Sequence, residues 1–383
     1  MKIAIVGAGP AGSLLAMKLA EGGALATVFD SSFPREKPCG GGLTGKALRE
    51  LPEAPARDPL PAHPVASCRF EAEGASVEVR LREPVAVASR RELDAWMLRR
   101  ATAAGAQHVA ERVVEVARGE VRTVVSGRQP FDLVVGADGA DSLVRRTFLG
   151  PLPKARRMMA LGWYAPGTAP MLVRFTPPLS GYLWTFPRRD HVGVGICAPL
   201  GEVPTRALRE RLEREVARTM PALWDPEAER YAHTIPSPSA DPRDILEAAG
   251  DGFALVGDAA ALADPITGEG IFYALRSAAL LADTLLADGS PSRYPERVLE
   301  DFGRDLLKAA ALQRRFYAPG FAGRMVRYAG RSPAIRDVLG DLVLGQQGYV
   351  GLKRRLLRAL PRFLVEAAWS GVRPSARYER RRT

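Results

Sequence analysis

The sequence predicts an α/β chain, α+β overall, built from a nucleotide-binding domain, an antiparallel-sheet domain and a helical C-terminal region. Three observations carry that expectation. Ile3 to Val6 form an apolar, mostly β-branched run that leads directly into Gly7-Ala8-Gly9-Pro10-Ala11-Gly12 and then a helical pattern. From about Leu149 the alternation of strands and helices gives way to short strands in series, broken by Pro and Gly, as an antiparallel sheet requires. From residue 291 onward the apolar residues recur at helical spacing.

The first 30 residues organise the rest. Gly7 permits a tight turn, Gly9 lets backbone approach a pyrophosphate, and Gly12 lets helix and strand pack closely, with phosphates lying on the helix N-terminus. A second buried run, Ala26 to Phe29, ends in Asp30, whose carboxylate is placed to take ribose hydroxyls. Together these define a Rossmann-like unit. A glycine-rich turn in an ordinary α/β core is the alternative, and the flanking strand, helix and acid speak against it.

Composition bounds the remaining possibilities. A chain of 383 residues that is 46% hydrophobic and 25% charged is long enough for two cores and is not disordered. Cys39, Cys68 and Cys197 are widely spaced and show no CxxC pairing, so neither a disulfide framework nor a metal site is expected. No charged-then-apolar leader and no long apolar run occur, which suggests a reducing, cytoplasmic compartment. The formal charge of +11 favours anionic partners such as phosphorylated substrates or acidic lipid headgroups, or else reflects a solvated arginine surface. Nucleic acid is not expected, because no reader motif or array of aromatics among basic residues is present.

Taken in order, Ser31 to Lys46 contains Pro34, Pro38 and Gly40-Gly41-Gly42, a composition that excludes regular structure. Glycines in a row suit a flat ring lying on backbone, with Cys39 beside it, although the local sequence reads first as a surface loop with an incidental thiol. Ser67 to Glu71 and Ser76 to Leu81 alternate around Gly74 as a hairpin. Arg91 to Ala104 reads as a helix with Leu93, Trp96, Met97 and Ala101 inward, and Arg90 at its start is a candidate phosphate clamp or an exposed arginine. Val109 to Val116, Val121 to Val125 and Phe131 to Val135 read as strands.

In the second half, Tyr182, Trp184 and Phe186 fall at period two on one strand face, either as core or as the wall of an apolar pocket. Leu208, Leu212, Val216 and Met220 mark a helix. The run Gly252 to Val256 ends in Gly257-Asp258, and a helix beginning at Gly268 to Gly270 points free N–H groups at an anion or a ring that becomes one. A final basic amphipathic helix, Gly351 to Ala368, sets Leu352, Leu356, Leu360, Phe363 and Leu364 opposite Lys353, Arg354, Arg355, Arg358 and Arg362, with Pro361 as a kink. It suits packing on the catalytic domain or peripheral contact with an anionic membrane. The tail Arg377 to Thr383 is expected to fray.

The motifs carry a resemblance. GAGPAG, GADGADSLVRR at Gly136 to Arg146 and GDAAALADPITGEGI at Gly257 to Ile271 resemble the fingerprints of flavoproteins related to p-hydroxybenzoate hydroxylase. KPCGGGL at Lys37 to Leu43 and YLWTFP at Tyr182 to Pro187 are similar, more narrowly, to the geranylgeranyl reductase family. That resemblance implies FAD, with Gly7, Gly9 and Gly12 at its pyrophosphate, Asp30 at the ribose, Arg90 near the phosphates and Asp258 at the ribityl chain. Pro265, Gly268 and Gly270 would border the flavin ring, with Cys39, Gly40 and Gly41 against it and Asp138 supporting from behind. Val113, Gly257, Glu269 and Ile271 complete the implied cofactor set. Asp30 departs from the pattern, since these flavoproteins more often carry glutamate there.

The implied activity is reduction of isolated double bonds in prenyl chains on a lipid, quinone or diphosphate, using electrons from reduced nicotinamide or ferredoxin. Tyr182, Trp184 and Phe186 would wall the isoprenoid slot, and Cys39, Tyr182 or a held water would deliver the proton. Alternatives on the same scaffold are aromatic hydroxylation, halogenation and non-catalytic electron transfer; no lysine beside the aromatic motif offers a halogenase amine. The expected domains are 1-66, 85-150 and 246-290 for the cofactor, 67-84 and 151-245 for the substrate, and 291-383 as the helical region.

Overall fold

The computed structural model describes residues 1–358. The first strand, Lys2–Val6, lies within a six-stranded sheet ordered Ala249–Gly250, Phe253–Leu255, Leu133–Gly136, Lys2–Val6, Leu25–Phe29 and Gln107–Val109. Every pairing is parallel except that of Ala249–Gly250. Ile3, Ala4 and Ile5 are fully buried, as a strand covered on both faces demands. The helix Pro10–Glu21 packs against both Arg90–Ala103 and Ile271–Asp288, and all three share one buried core with this sheet.

The turn between the first strand and first helix is held by close contacts. Gly7 adopts φ +102°, and its N–H donates to the Phe29 carbonyl. A Cβ at Gly12 would run into the Gly7 carbonyl oxygen, so only glycine lets the helix sit that near the strand.

The second sheet has eight strands, ordered Arg230–Pro236, Arg157–Pro166, His191–Pro199, Tyr182–Pro187, Leu172–Phe175, Ala62–Ala72, Ala75–Ala88 and Gly42–Leu43. Its pairings are antiparallel except between Leu172–Phe175 and Ala62–Ala72. Alternation divides its faces. Leu161, Trp163, Leu183, Val194 and Ile196 meet Leu208, Leu212 and Val216 of the helix Thr205–Thr219. On the other side, the helices Phe321–Arg331 and Pro333–Val343 cover the hairpin through Val326, Ala329 and Leu339.

Several expectations need correction. Ser31 to Lys46 is not wholly irregular: Gly42–Leu43 pairs with Ala86 and Val87, and the helix Gly45–Glu50 starts on a Thr44 cap. The sheet edge supplies ladder partners that the local sequence does not display. The hairpin strands are longer than their alternation suggested, so both 67 and 84 fall inside strands. Glu73 and Gly74, both at positive φ, form the turn. The run Val109 to Val116 is two strands, because Gln107–Val109 joins the parallel sheet while Val113–Ala117 pairs in a small sheet with Glu120–Thr123 and Gly127–Pro130. Val124 and Val125 belong to its exposed tip.

The final helix runs from Tyr349 to the last described residue, Arg358; Leu360, Pro361, Arg362, Phe363, Leu364 and the tail Arg377 to Thr383 lie outside the described residues. Among the described residues, no helix is long and apolar enough to cross a membrane.

Two alanine substitutions beside the same helix separate crowding from backbone preference. Gly12→Ala should lower stability by roughly 2–4 kcal/mol through overpacking. Gly23→Ala, at φ +81° in open space, should cost only about 1 kcal/mol. Denaturant midpoints of the two variants check the difference, and equal losses would contradict the close seating of helix on strand.

Candidate functional site

The two sheets and the C-terminal helices enclose one cavity of about 1490 Å³. That exceeds the roughly 300–1,000 Å³ of a typical small-molecule pocket, so it has room for more than one guest. Its nucleotide end is lined by Gly7, Gly9, Asp30, Arg90, Val113, Asp138 and Asp258. Beyond these come Cys39, Gly40, Gly41, Gly268, Glu269, Gly270 and Ile271, and then Tyr182, Trp184 and Phe186.

Each nucleotide-end residue is fixed by its neighbours. Asp30 accepts the Ala8 N–H at 3.0 Å and the Ser32 N–H at 2.9 Å, which ties the second strand to the glycine turn. Arg90 is buried, not exposed, and forks onto Asp94 with two bonds of 2.7 Å, its guanidinium standing over Gly9. Asp138 accepts the Leu143 N–H at 2.6 Å and so caps the helix behind the cavity, while burial raises its pKa. Burial would also raise the Asp258 carboxyl, but Lys37 at 2.9 Å holds it below the usual carboxylate range.

Gly12, Gly257 and Pro265, also expected at the cofactor, lie next to the lining residues Ala11, Asp258 and Ile266. Gly12 serves helix-to-strand packing, Gly257 sits against Ala274 and Ala11, and the Pro265 carbonyl accepts from Gln313 Nε2 at 2.6 Å.

The middle of the cavity is shaped by missing side chains. A Cβ at Gly40 would strike the Phe186 ring, one at Gly41 the Ala88 carbonyl, and one at Gly195 the Trp184 indole. Gly268, at φ +70°, lies against the Tyr182 hydroxyl. The helix Ile271–Asp288 begins after Gly270, and its positive N-terminal end opens on a recess of the cavity, which favours an anionic guest. Tyr182 donates its hydroxyl to the Thr267 carbonyl, and burial pushes the phenol well above its ordinary pKa. That makes Tyr182 an anchor between strand and recess and a poor acid. Cys39 is half-buried, and its Sγ accepts the Gly41 N–H at 3.3 Å.

Sequence reasoning missed the clasp that holds the Cys39 loop. Arg188 is buried, donates to the Glu36 carboxylate at 3.0 Å and to the Cys39 carbonyl at 2.8 Å, and lies 4.6 Å from the Tyr164 ring centre. Glu36 also accepts from the Arg90 and Arg91 N–H groups; burial would raise its pKa, yet Arg188 and these bonds lower it. The signal was the position of Arg188 directly after the aromatic motif. Lys37 was missed as well: the fold brings this lysine into the cavity, though it is committed to Asp258. His233, also lining the cavity, has no partner for Nε2 among the described residues, and burial followed by Lys37 brings its pKa down to about 4.

A glycine turn, an acid at the end of the second strand and a helix N-terminus, all facing one cavity, are the features of a dinucleotide-dependent oxidoreductase of the flavin type. The chain belongs to the FAD binding domain family, whose profile matches residues 1–292, and FAD is its cofactor. The glycine turn at Gly7 and Gly9, together with Gly40, Gly41, Gly268 and Gly270, lines a cavity of about 1490 Å³ and would hold that group.

A geranylgeranyl diphosphate reductase of Rhodobacter capsulatus is 29% identical over 316 residues, covering 75% of this chain and 76% of that relative. A menaquinone reductase of Mycobacterium tuberculosis is 28% identical over 366 residues, 88% and 89% of the two chains. The solved structure of a geranylgeranyl bacteriochlorophyll reductase-like protein from Thermoplasma acidophilum shares the fold at TM-score 0.75 and 21% identity, covering 93% of this chain and 98% of that one.

Arg188→Met should unseat the Cys39 loop and cost about 2–4 kcal/mol, because it leaves Glu36 partly buried without its cation. Arg188→Lys restores charge without the fork and should recover only part of the loss. Cys68 and Cys197 are buried, so alkylation reports Cys39; faster modification in the Met variant is expected, and an unchanged rate would contradict the clasp.

Proposed function

We propose that this oxidoreductase hydrogenates isolated carbon–carbon double bonds of prenyl chains. The observation that carries the reading is continuity: the cavity runs from the glycine cradle, past Cys39 and the aromatic strand, into an apolar slot between the second sheet and the C-terminal helices. Phe70, Val85, Met171, Val173 and Phe175 line the sheet side, and Leu312, Phe316, Leu339 and Leu342 the helical side. A polyisoprenoid matches that lining in polarity and length. A compact aromatic substrate would leave most of it unfilled.

Bound FAD, once reduced by nicotinamide or ferredoxin, supplies a hydride equivalent, which with one proton saturates one double bond. The chain's residues orient the alkene and exclude water. Trp184 lies flat on Gly195, and Phe186 on Gly40 and Gly42, which gives a rigid wall for the chain. Cys39, at the junction of recess and slot, is the proton donor we favour, because Tyr182 spends its hydroxyl on Thr267 and its burial opposes ionisation.

The test is to reduce the FAD-loaded protein without oxygen, add a geranylgeranyl substrate and weigh the product. A gain of two hydrogens per bond supports the reading; oxygen-dependent gain of an oxygen atom, or no change in mass, overturns it. Trp184→Ala should lower turnover of long prenyl chains about tenfold or more while FAD remains bound. Loss of FAD from that variant would show that the indole is simply core.

A further inference from the structure

Four consecutive residues of the loop that leads to the helix Ile271–Asp288 are each held by a side chain from elsewhere in the fold. Asp264 Oδ1 accepts from the Tyr349 hydroxyl at 3.3 Å, the Pro265 carbonyl from Gln313 Nε2 at 2.6 Å, and the Ile266 carbonyl from the Tyr317 hydroxyl at 2.6 Å. The Thr267 carbonyl accepts from Tyr182 of the second sheet. Three of the four donors thus belong to the C-terminal helical region, at sequence separations of 85, 48 and 51 residues.

The loop is closed by its own bonds as well. Asp264 Oδ1 also accepts the Ile266 and Thr267 N–H groups at 2.7 and 3.0 Å, and the Asp264 N–H donates to the Glu269 carbonyl at 2.9 Å. These bonds give the loop its shape, and the outside donors fix where that shape sits. Asp264, Ile266, Tyr317 and Tyr349 are buried, and Ile266 packs with Ala309, Tyr349, Leu312 and Phe316. From Thr267 the chain passes into Gly268, Glu269 and Gly270, which line the cavity, and then into a helix whose first N–H groups have no intrahelical partner. The positive end of that helix is therefore set in place from the C-terminal side.

We propose that Gln313, Tyr317 and Tyr349 are positioning residues for the flavin: they hold the loop 264–267 so that the helix N-terminus favours the reduced, negatively charged form of the cofactor. They act through the loop and not by contact of their own. The field of a helix end fades within about one turn, so a small retreat of the loop weakens it at the cofactor. This goes beyond the prenyl reading and does not rest on it, because the effect is present without substrate.

The experiment reads a potential and not a rate. Full-length protein loaded with FAD is equilibrated without oxygen against a reference dye, with xanthine and xanthine oxidase supplying electrons, and the oxidised and reduced fractions are read from absorption. The variants are Tyr317→Phe, Gln313→Met, the two combined, and Tyr349→Phe. Gly23→Ala, in open space just beyond the first helix, is the control for a general loss of stability.

The combined variant should keep FAD but lose at least about tenfold in its preference for the reduced form, a shift of about 30 mV to more negative potential for a two-electron couple. Tyr317→Phe and Gln313→Met should each give part of that shift. Tyr349→Phe should give the least, because Asp264 keeps two backbone donors. Gly23→Ala should match the unaltered protein. If the combined variant does not fold or does not load, the single variants decide. An unchanged potential in the loaded fraction, whether or not FAD binds less tightly, or an equal shift in Gly23→Ala, overturns the proposal and leaves these side chains as packing alone. Failure here would not touch the prenyl reading, which the mass of the product decides.

Discussion

The arrangement depends on one buried guanidinium. Arg188 leaves the end of the aromatic strand, crosses the gap between the two sheets and holds Glu36 and the Cys39 carbonyl together. Glu36 in turn caps the helix that presents Arg90 to Gly9. Through that one side chain the substrate sheet, the glycine loop and the nucleotide domain share a frame. A charge taken out of water is tolerated only where its donors are met. Here a carboxylate, a carbonyl and an aromatic face meet most of them.

Glycines complete what the clasp begins. At Gly40, Gly41 and Gly195 a methyl group would collide with Phe186, Ala88 or Trp184, so ring and backbone lie as close as van der Waals contact permits. The aromatic wall therefore has little freedom to turn, and the recess beside Gly268 to Gly270 keeps its shape. Rigidity of this kind suits the proposed orientation of an unactivated alkene, which would offer no polar group near the reacting carbons.

Much of this was legible in the sequence, for physical reasons that differ from element to element. The turn at Gly7 to Gly12 and the acid at Asp30 were readable because backbone approach to a nucleotide restricts the residue types locally. The period-two aromatics were readable as a face, though not as a wall, since alternation reports direction and not what stands opposite. The strand Gly42–Leu43 was hidden because its ladder comes from residues more than 40 positions away. Arg188 directly follows the aromatic motif, which is its one local signal; the carboxylate, the carbonyl and the ring that surround it are brought there by the fold. Gly12, Gly257 and Pro265 matched the motif, and the fold shows packing and backbone-acceptor roles for them that the motif alone does not display.

The central claim is that one cavity receives both FAD and a prenyl chain, the chain reaching the face of the ring. Difference absorption spectroscopy of the oxidised holoprotein tests it without turnover. Titration with an unreactive, fully saturated prenyl diphosphate should perturb the flavin bands in a saturable way, because an apolar chain replaces water beside the ring. If that ligand binds and quenches protein fluorescence while the flavin spectrum stays unchanged, the two guests occupy separate sites and the account fails.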